Sequence, residues 1–352
     1  MMSRICLVGA GELSRKHVEA LQGIPGHHIA AIVDADAAAA QRLARLSGAQ
    51  KVFASVEEAL ADEAFDRAHV LVPPEMRPQA TLPLLAASKP VLVEQPVATD
   101  TDACNAMLEA ARKSGAALGV TDGFMHHPAF VRLQQLVDRQ ELGRPVMVFC
   151  LRNVPFSEVH GRGGNDLLLE HALHPLTQIT ALAGPIDKAR AFAGPSIELG
   201  ADEKFPSPLD LSLSCADLAA RLRISVGRRR PLWQVTAICD DGVAVADILE
   251  NRIDTHGRTR WRDAMQDIGT DLASAGSELN HALRNILDAA VSLVYPARRG
   301  NPVRIGLRRS IAAFHSALDA GKPPEPDGKL ATELVALCRR VADQARRNPA
   351  AA

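Results

Sequence analysis

The chain is short of aromatic residues. Phe, Tyr and Trp make up 3% of its 352 residues, which argues against a base-stacking surface or an aromatic sugar platform. It also lacks excess charge of either sign. Lys plus Arg number 40 against 41 Asp plus Glu, a net charge of −1, so there is no field to gather nucleic acid or anionic lipid. Its six cysteines, Cys6, Cys104, Cys150, Cys215, Cys239 and Cys338, are widely spaced with no CxxC pair. Neither a zinc ribbon nor a disulfide framework is expected, and the thiols suit a reducing cytoplasm. The apolar run Ile5–Val8 is too short for a leader core, and no stretch of ~18 or more apolar residues occurs. The expectation is a cytoplasmic chain without a membrane anchor or nucleic-acid partner.

What is present is an ordinary globular balance, 47% hydrophobic and 23% charged. At this length one core gives way to about two domains. From residue 3 to about 122, short apolar runs alternate with helical stretches. Ile5–Val8, Ile29–Val33, Ala68–Val72, Val91–Val93 and Ala117–Val120 read as strands covered on both faces. Ala37–Leu46, Val56–Ala61 and Thr101–Lys113 read as helices, the second opened by the capping pair Ser55 and Glu58. This alternation predicts a doubly wound parallel sheet. After Gly123 the pattern changes. A helix follows Pro128, a strand runs over Pro145–Leu151, and a long apolar helix covers Asp166–Leu182. Leu209–Val226, Leu232–Cys239, Val243–Leu249 and Ile253–His256 then follow as successive strands, with Asp241-Gly242 as a hairpin turn. Helices at Ser310–Leu318 and Leu334–Ala345 close the pattern. The basic run Arg228-Arg229-Arg230 reads as an exposed hairpin turn. The predicted fold is α/β: a Rossmann dinucleotide-binding domain over 1–123, then an α/β domain over 124–352 with an open, mostly antiparallel sheet.

The segment Val8-Gly9-Ala10-Gly11-Glu12-Leu13-Ser14 lies between the first strand and a helix. Backbone N–H groups and the helix dipole can hold a pyrophosphate there. Ser14 stands in place of the third glycine of the usual fingerprint. Asp34 ends the second strand, where a carboxylate takes the ribose hydroxyls of NAD and repels the 2′-phosphate of NADP. The alternative is an ordinary turn with a helix-capping aspartate.

Several segments in order resemble the Gfo/Idh/MocA oxidoreductases. Gly9 to His17 is similar to that family's opening loop and helix. Val72-Pro73-Pro74 is similar to the segment beneath the nicotinamide, and Glu94-Gln95-Pro96 to its Glu-Lys-Pro. Gly163-Gly164 with Glu170 and His174 resembles its Gly-Gly stretch, Asp and His, and Ser310 to Pro323 its penultimate helix and turn. The resemblance implies a nicotinamide-dependent oxidoreductase for sugars, sugar derivatives or cyclitols, a site in the interdomain crevice, and a homodimer or homotetramer. It implies NAD contacts at Gly9, Ala10, Gly11, Glu12, Leu13, Asp34, Val72, Pro73, Pro74, Glu94, Gln95 and Pro96. Four departures stand out: Gln95 for the lysine, Glu170 for an aspartate, Thr177 for a second aspartate, and Arg77 for a histidine.

Gln95 donates and accepts hydrogen bonds but does not titrate. His174 is therefore the expected acid/base, since imidazole titrates near neutral pH. Glu170, four residues earlier on the same helix face, would orient it. His126, His127, Arg152 and Arg162 are the expected substrate contacts, with Asn153 and His160 beside them. Glu170, His171 and His174 also read as possible metal ligands, but no further ligand is evident and no metal is expected. Two other functions fit the altered lysine: a cofactor-binding sensor or partner subunit without net turnover, and a reductase of a less demanding group such as an imine.

Overall fold

The computed structural model describes residues 2–159, 164–200, 203–216, 218–257 and 301–347. The chain forms two compact units. Met1–His126 joins Val303–Ala336, and His127–Pro302 joins Leu337–Ala352. The first unit thus ends three residues beyond the expected boundary at 123, and it regains a segment expected to belong to the second.

The first unit is built on six parallel strands, β1 (Ser3–Val8), β2 (His27–Val33), β3 (Lys51–Phe53), β4 (Arg67–Val70), β5 (Val91–Glu94) and β6 (Leu118–Thr121). Their order is β3-β2-β1-β4-β5-β6, which places the topological switch beside β1, where open α/β sheets hold ligands. Helices α1 (Glu12–Leu21), α2 (Ala37–Ser47), α3 (Val56–Ala61), α4 (Arg77–Ala86) and α5 (Thr101–Ser114) make the crossovers. Ile5, Cys6, Leu7 and Val8 are all buried, as a strand covered on both faces requires. The reason Val303–Ala336 returns is apolar burial. Helix α9 (Pro302–Asp319) inserts Ile311 and Phe314 into the cluster of Ile5, Leu7, Ile32 and Leu92.

The second unit carries a seven-stranded sheet of order β15-β14-β13-β7-β12-β11-β8. Its strands are β7 (Pro145–Pro155), β8 (Ile186–Ala193), β11 (Leu209–Cys215), β12 (Ala219–Arg228), β13 (Leu232–Cys239), β14 (Gly242–Asp247) and β15 (Arg252–Gly257). Every pair is antiparallel except β7 with β12. A separate ribbon pairs β9 (Ser196–Gly200) with β10 (Glu203–Pro206). Helices α6 (Pro128–Asp138), α7 (Phe156–Val159) and α8 (Gly164–Ala183) belong to this unit, and α8 packs along β7 and β12. Helix α10 (Gly328–Arg347) closes the described chain.

The hairpin between β13 and β14 forms as expected, with Cys239 paired to Gly242. Asp240 and Asp241 make the turn itself. The backbone of His256 and Gly257 comes too close to Gly242 for any Cβ, so β15 can pair only against glycine there. The Arg228 run is different from its reading. β12 and β13 are not neighbours, because β7 lies between them, and the arginines sit at a crossover instead of a hairpin. Among the described residues, no helix is long and apolar enough to cross a membrane.

Candidate functional site

Gly9 leaves β1 with φ +106, and a Cβ there would lie 3.1 Å from the backbone of Leu71 and Val72. Both the conformation and the closeness to the end of β4 demand glycine. At Gly11 a Cβ would meet nothing within 4 Å, so the space beyond it is open. Gly11 also caps α1 without a side-chain hydrogen bond, leaving the first-turn N–H groups free for an anion. Ser14, in place of the third glycine, is fully buried and donates its hydroxyl to the Gly9 carbonyl at 2.6 Å. The substitution therefore ties the loop to its own helix.

Asp34 is not the helix cap. Asp36 caps α2, its Oδ1 accepting the N–H groups of Ala38 and Ala39. Asp34 instead accepts the Ala10 N–H at 2.6 Å and the Asp36 N–H at 2.8 Å. Its carboxylate is thereby fixed against the glycine loop. A cavity of about 450 Å³ opens there, lined by Gly9, Ala10, Gly11, Asp34, Val72 and Pro73 among others. Loop, open helix end and anchored carboxylate fit an adenine dinucleotide. The second lining carboxylate, Glu57, adds to the repulsion of a 2′-phosphate.

Arg77, flagged only as a departure, is 3% exposed. It donates from Nε to the Val72 carbonyl at 3.0 Å and from Nη1 to the Glu94 carbonyl at 2.8 Å, and it also reaches the Pro96 carbonyl. One guanidinium thus fastens the Val72-Pro73-Pro74 segment to the Glu94-Gln95-Pro96 turn. Burial pulls its pKa down to about 10, opposed by Glu94 and Glu75, so it stays charged at neutral pH. Gln95 follows β5 on this fastened turn, half-buried.

In the second unit, α8 carries Glu170 exposed, His171 buried and His174 half-buried. The His174 ring centroid lies 6.4 Å from that of Trp233. The Arg152 guanidinium stacks over the same indole at 4.3 Å. Trp233 is 2% exposed and donates its Nε1–H to Gln178 Oε1 at 3.2 Å. Strands β7 and β13 and helix α8 therefore bring Arg152, Trp233 and His174 together. Burial lowers the pKa of Arg152, while Glu158, Cys150 and Glu170 oppose the shift. Thr177 donates its hydroxyl to the Leu173 carbonyl at 2.9 Å, back-bonding its own helix in place of a second carboxylate. Trp233 and Gln178 were missed in the sequence; a lone Trp on a strand and a Gln four residues past His174 were the available signals.

His127 has a structural task. Its Nδ1 accepts the Ala129 N–H at 3.3 Å as the N-cap of α6, and burial lowers its pKa to about 4. His126 belongs to the first unit, half-buried, its pKa lowered by burial against the pull of Asp122. Arg162 and His160 lie outside the residues whose side chains are described. Among the described residues, no group of three or more His, Cys, Asp or Glu is arranged to hold a metal ion.

Residues 3–122 match the model of an oxidoreductase family with an NAD-binding Rossmann fold, GFO_IDH_MocA. Inositol 2-dehydrogenase of Corynebacterium glutamicum is 29% identical over 185 residues, 51% of this chain and 54% of the relative. The 4-carboxy-2-hydroxymuconate-6-semialdehyde dehydrogenase of a Sphingobium species is 28% identical over 253 residues, 69% of this chain and 78% of the relative. The chain spans about half the length of the inositol dehydrogenases it matches. An oxidoreductase from Agrobacterium radiobacter, solved with NAD+, L-tartaric acid and magnesium, superposes with a TM-score of 0.79 at 13% identity, covering 99% of this chain and 97% of its own. Levoglucosan dehydrogenase with NADH gives 0.75 at 12% identity, covering 98% and 97%.

Proposed function

We propose that this chain, whose residues 3–122 match the model of the Gfo/Idh/MocA oxidoreductases, is a member of that family and an NAD-dependent oxidoreductase acting on a hydroxyl or carbonyl of a sugar-like or cyclic polyol compound. The observation that carries this reading is Asp34, held by the Ala10 N–H while Asp36 does the capping. Relatives that act on inositol supply the substrate class.

NAD, when bound, supplies a hydride acceptor for alcohol oxidation and, reduced, a donor for the reverse. Gly9, Ala10, Gly11, Glu12 and Leu13 offer the pyrophosphate their amides and open helix end, and Asp34 takes the ribose hydroxyls. Val72, Pro73 and Pro74, with Glu94, Gln95 and Pro96, form the pair of segments that Arg77 holds for the nicotinamide half. His174 takes the alcohol proton as the hydride leaves, and Glu170 orients its ring. Gln95 positions cofactor and substrate by hydrogen bonds. Arg152 meets polar groups of the substrate from its seat on Trp233, with Arg162 and the exposed side of His126 as further contacts. The working form is a cytoplasmic homodimer or homotetramer; exposed Phe192 and Ile238 on the seven-stranded sheet support such a contact.

The test is NAD reduction over a panel of cyclitols and sugar derivatives. His174→Ala is expected to lose about 100-fold or more in kcat while NAD still raises the melting temperature. Full activity in His174→Ala would refute the acid/base assignment. NAD binding without turnover by the unaltered chain would make it a cofactor-responsive binding protein, the reading that a non-titrating Gln95 favours.

A further inference from the structure

Three histidines far apart in sequence meet inside the first unit. His17 on α1, His69 on β4 and His315 on α9 are each 0% exposed. Glu94 Oε1 lies 2.7 Å from His17 Nε2, and His17 Nδ1 lies 3.0 Å from His69 Nδ1. His69 Nε2 lies 3.1 Å from His315 Nε2, and His315 Nδ1 lies 3.1 Å from Arg67 Nη1. Arg67 also pairs with the half-exposed carboxylate of Asp319. From β2, His27 packs against His315 with ring centroids 4.3 Å apart and its Nε2 3.8 Å from Asp319. The row thus runs from the end of β5, beside Gln95, to the surface of α9.

The two ends dictate where every proton sits. A guanidinium can only donate and an ionised carboxylate can only accept. Arg67 therefore makes His315 Nδ1 an acceptor, which puts the proton of neutral His315 on Nε2. His315 donates it to His69 Nε2, so His69 carries its own proton on Nδ1 and donates that to His17 Nδ1. His17 then holds its proton on Nε2 and donates it to Glu94. All four contacts are satisfied with one proton per ring. Reversing the row would set a His315 Nδ1–H against an Arg67 N–H, and a fourth ring proton would create the same donor–donor clash. Burial above all, with the charge of Arg67 nearby, pushes His69 well below its ordinary pKa and His315 down to about 3.

We propose that His69 and His315 are positioning residues for the Glu94-Gln95-Pro96 turn, acting through His17 as a hydrogen-bond chain of fixed direction that gives the Glu94 carboxylate a donor and passes no proton between that turn and Asp319. The proposal rests on the reading that this turn meets the nicotinamide half of NAD. Arg67 cannot give up its proton or accept one, so the chain is a strut and not a conduit. Glu94 is then held twice, its carboxylate by His17 and its carbonyl by Arg77. This matters with Gln95 as the next residue, since a neutral amide offers the cofactor directional hydrogen bonds that hold only if the turn is still.

The direct test is 15N NMR of the imidazoles in the full chain without cofactor. Protons are expected on His17 Nε2, His69 Nδ1 and His315 Nε2 alone, one to a ring. The opposite tautomers, or an imidazolium at any of the three, would overturn the chain. Binding is the second readout. His69→Leu leaves His17 Nδ1 and His315 Nε2 without partners and is expected to weaken NAD binding about tenfold. His69→Gln, whose amide donates on one side and accepts on the other, is expected to restore affinity. A folded His69→Leu that binds NAD as tightly as the unaltered chain does would refute the positioning role. If His69→Leu does not fold, the tautomers and His69→Gln decide. Failure of the unaltered chain to bind NAD would refute the functional reading and the positioning role together, whereas the chain's direction is measured without the cofactor.

Discussion

At the scale of single residues, Arg77 and Asp34 show how a few polar side chains shape the cofactor end of the first unit. Arg77 gives hydrogen bonds to three backbone carbonyls on two separate segments. Lysine keeps the charge but not the fork, so Arg77→Lys is not conservative here. Arg77→Met is expected to destabilise the chain by about 2–3 kcal/mol, since buried carbonyls lose a charged donor, and to weaken NAD binding. Urea denaturation and calorimetric titration check the two effects. Asp34→Ala is expected to weaken NAD about 10-fold or more and to narrow the preference for NAD over NADP. Equal loss for both cofactors would show that the carboxylate does not discriminate. The placing of Asp34 against the glycine loop was legible because strand, glycine loop and acid stand in order along the chain. Arg77 was not, because its partners Val72, Glu94 and Pro96 become neighbours only when β4 and β5 pair. Trp233 escaped for the same reason: its role arises where β13 lies beside β7 and α8 crosses above.

At the scale of elements, legibility followed the strength of the local pattern. α3 and β13 have the bounds that their caps and apolar alternation imply. β3 has three residues, too few to show a period. β8 carries Asp187, Lys188 and Arg190, and its charge hides a strand that needs only one apolar face at the sheet edge. α4 contains Pro83 and so did not read as a helix. The parallel pairing of β7 with β12 reflects topology, which periodicity does not encode. α9 is an amphipathic helix whose pattern gives no hint of which core it serves. Its Phe314 is 2% exposed within the β1 and β2 cluster. Phe314→Ala is expected to cost about 3–5 kcal/mol, read as a lowered denaturation midpoint of the first unit. An unchanged midpoint would mean that α9 adds nothing to that core.

At the scale of the whole molecule, the buried histidines set the response to acid. The folded pKa of His315 is about 3 and that of His127 about 4, both lowered by burial, against about 6.5 for a free imidazole. His69 is shifted the same way. Between about pH 6.5 and pH 4 the unfolded chain therefore binds more protons than the folded one, so stability falls as pH falls through that window. Each such histidine adds about 1.4 kcal/mol per pH unit to the slope. Urea midpoints taken from pH 7.5 to 4.5 are expected to drop steeply below 6.5, and less steeply in His315→Gln. A flat profile would show that these imidazoles already carry charge in the native state.

The return of Val303–Ala336 to the first unit bears on how the chain comes off the ribosome. When residue 126 emerges, the parallel sheet lacks Ile311 and Phe314 along one flank, and 176 residues of the other unit must follow before they arrive. The six-stranded sheet thus precedes the other unit along the chain yet is completed only after most of it. Until then its apolar flank stays open to water, and a chain stopped before residue 303 carries the glycine loop on an unfinished core.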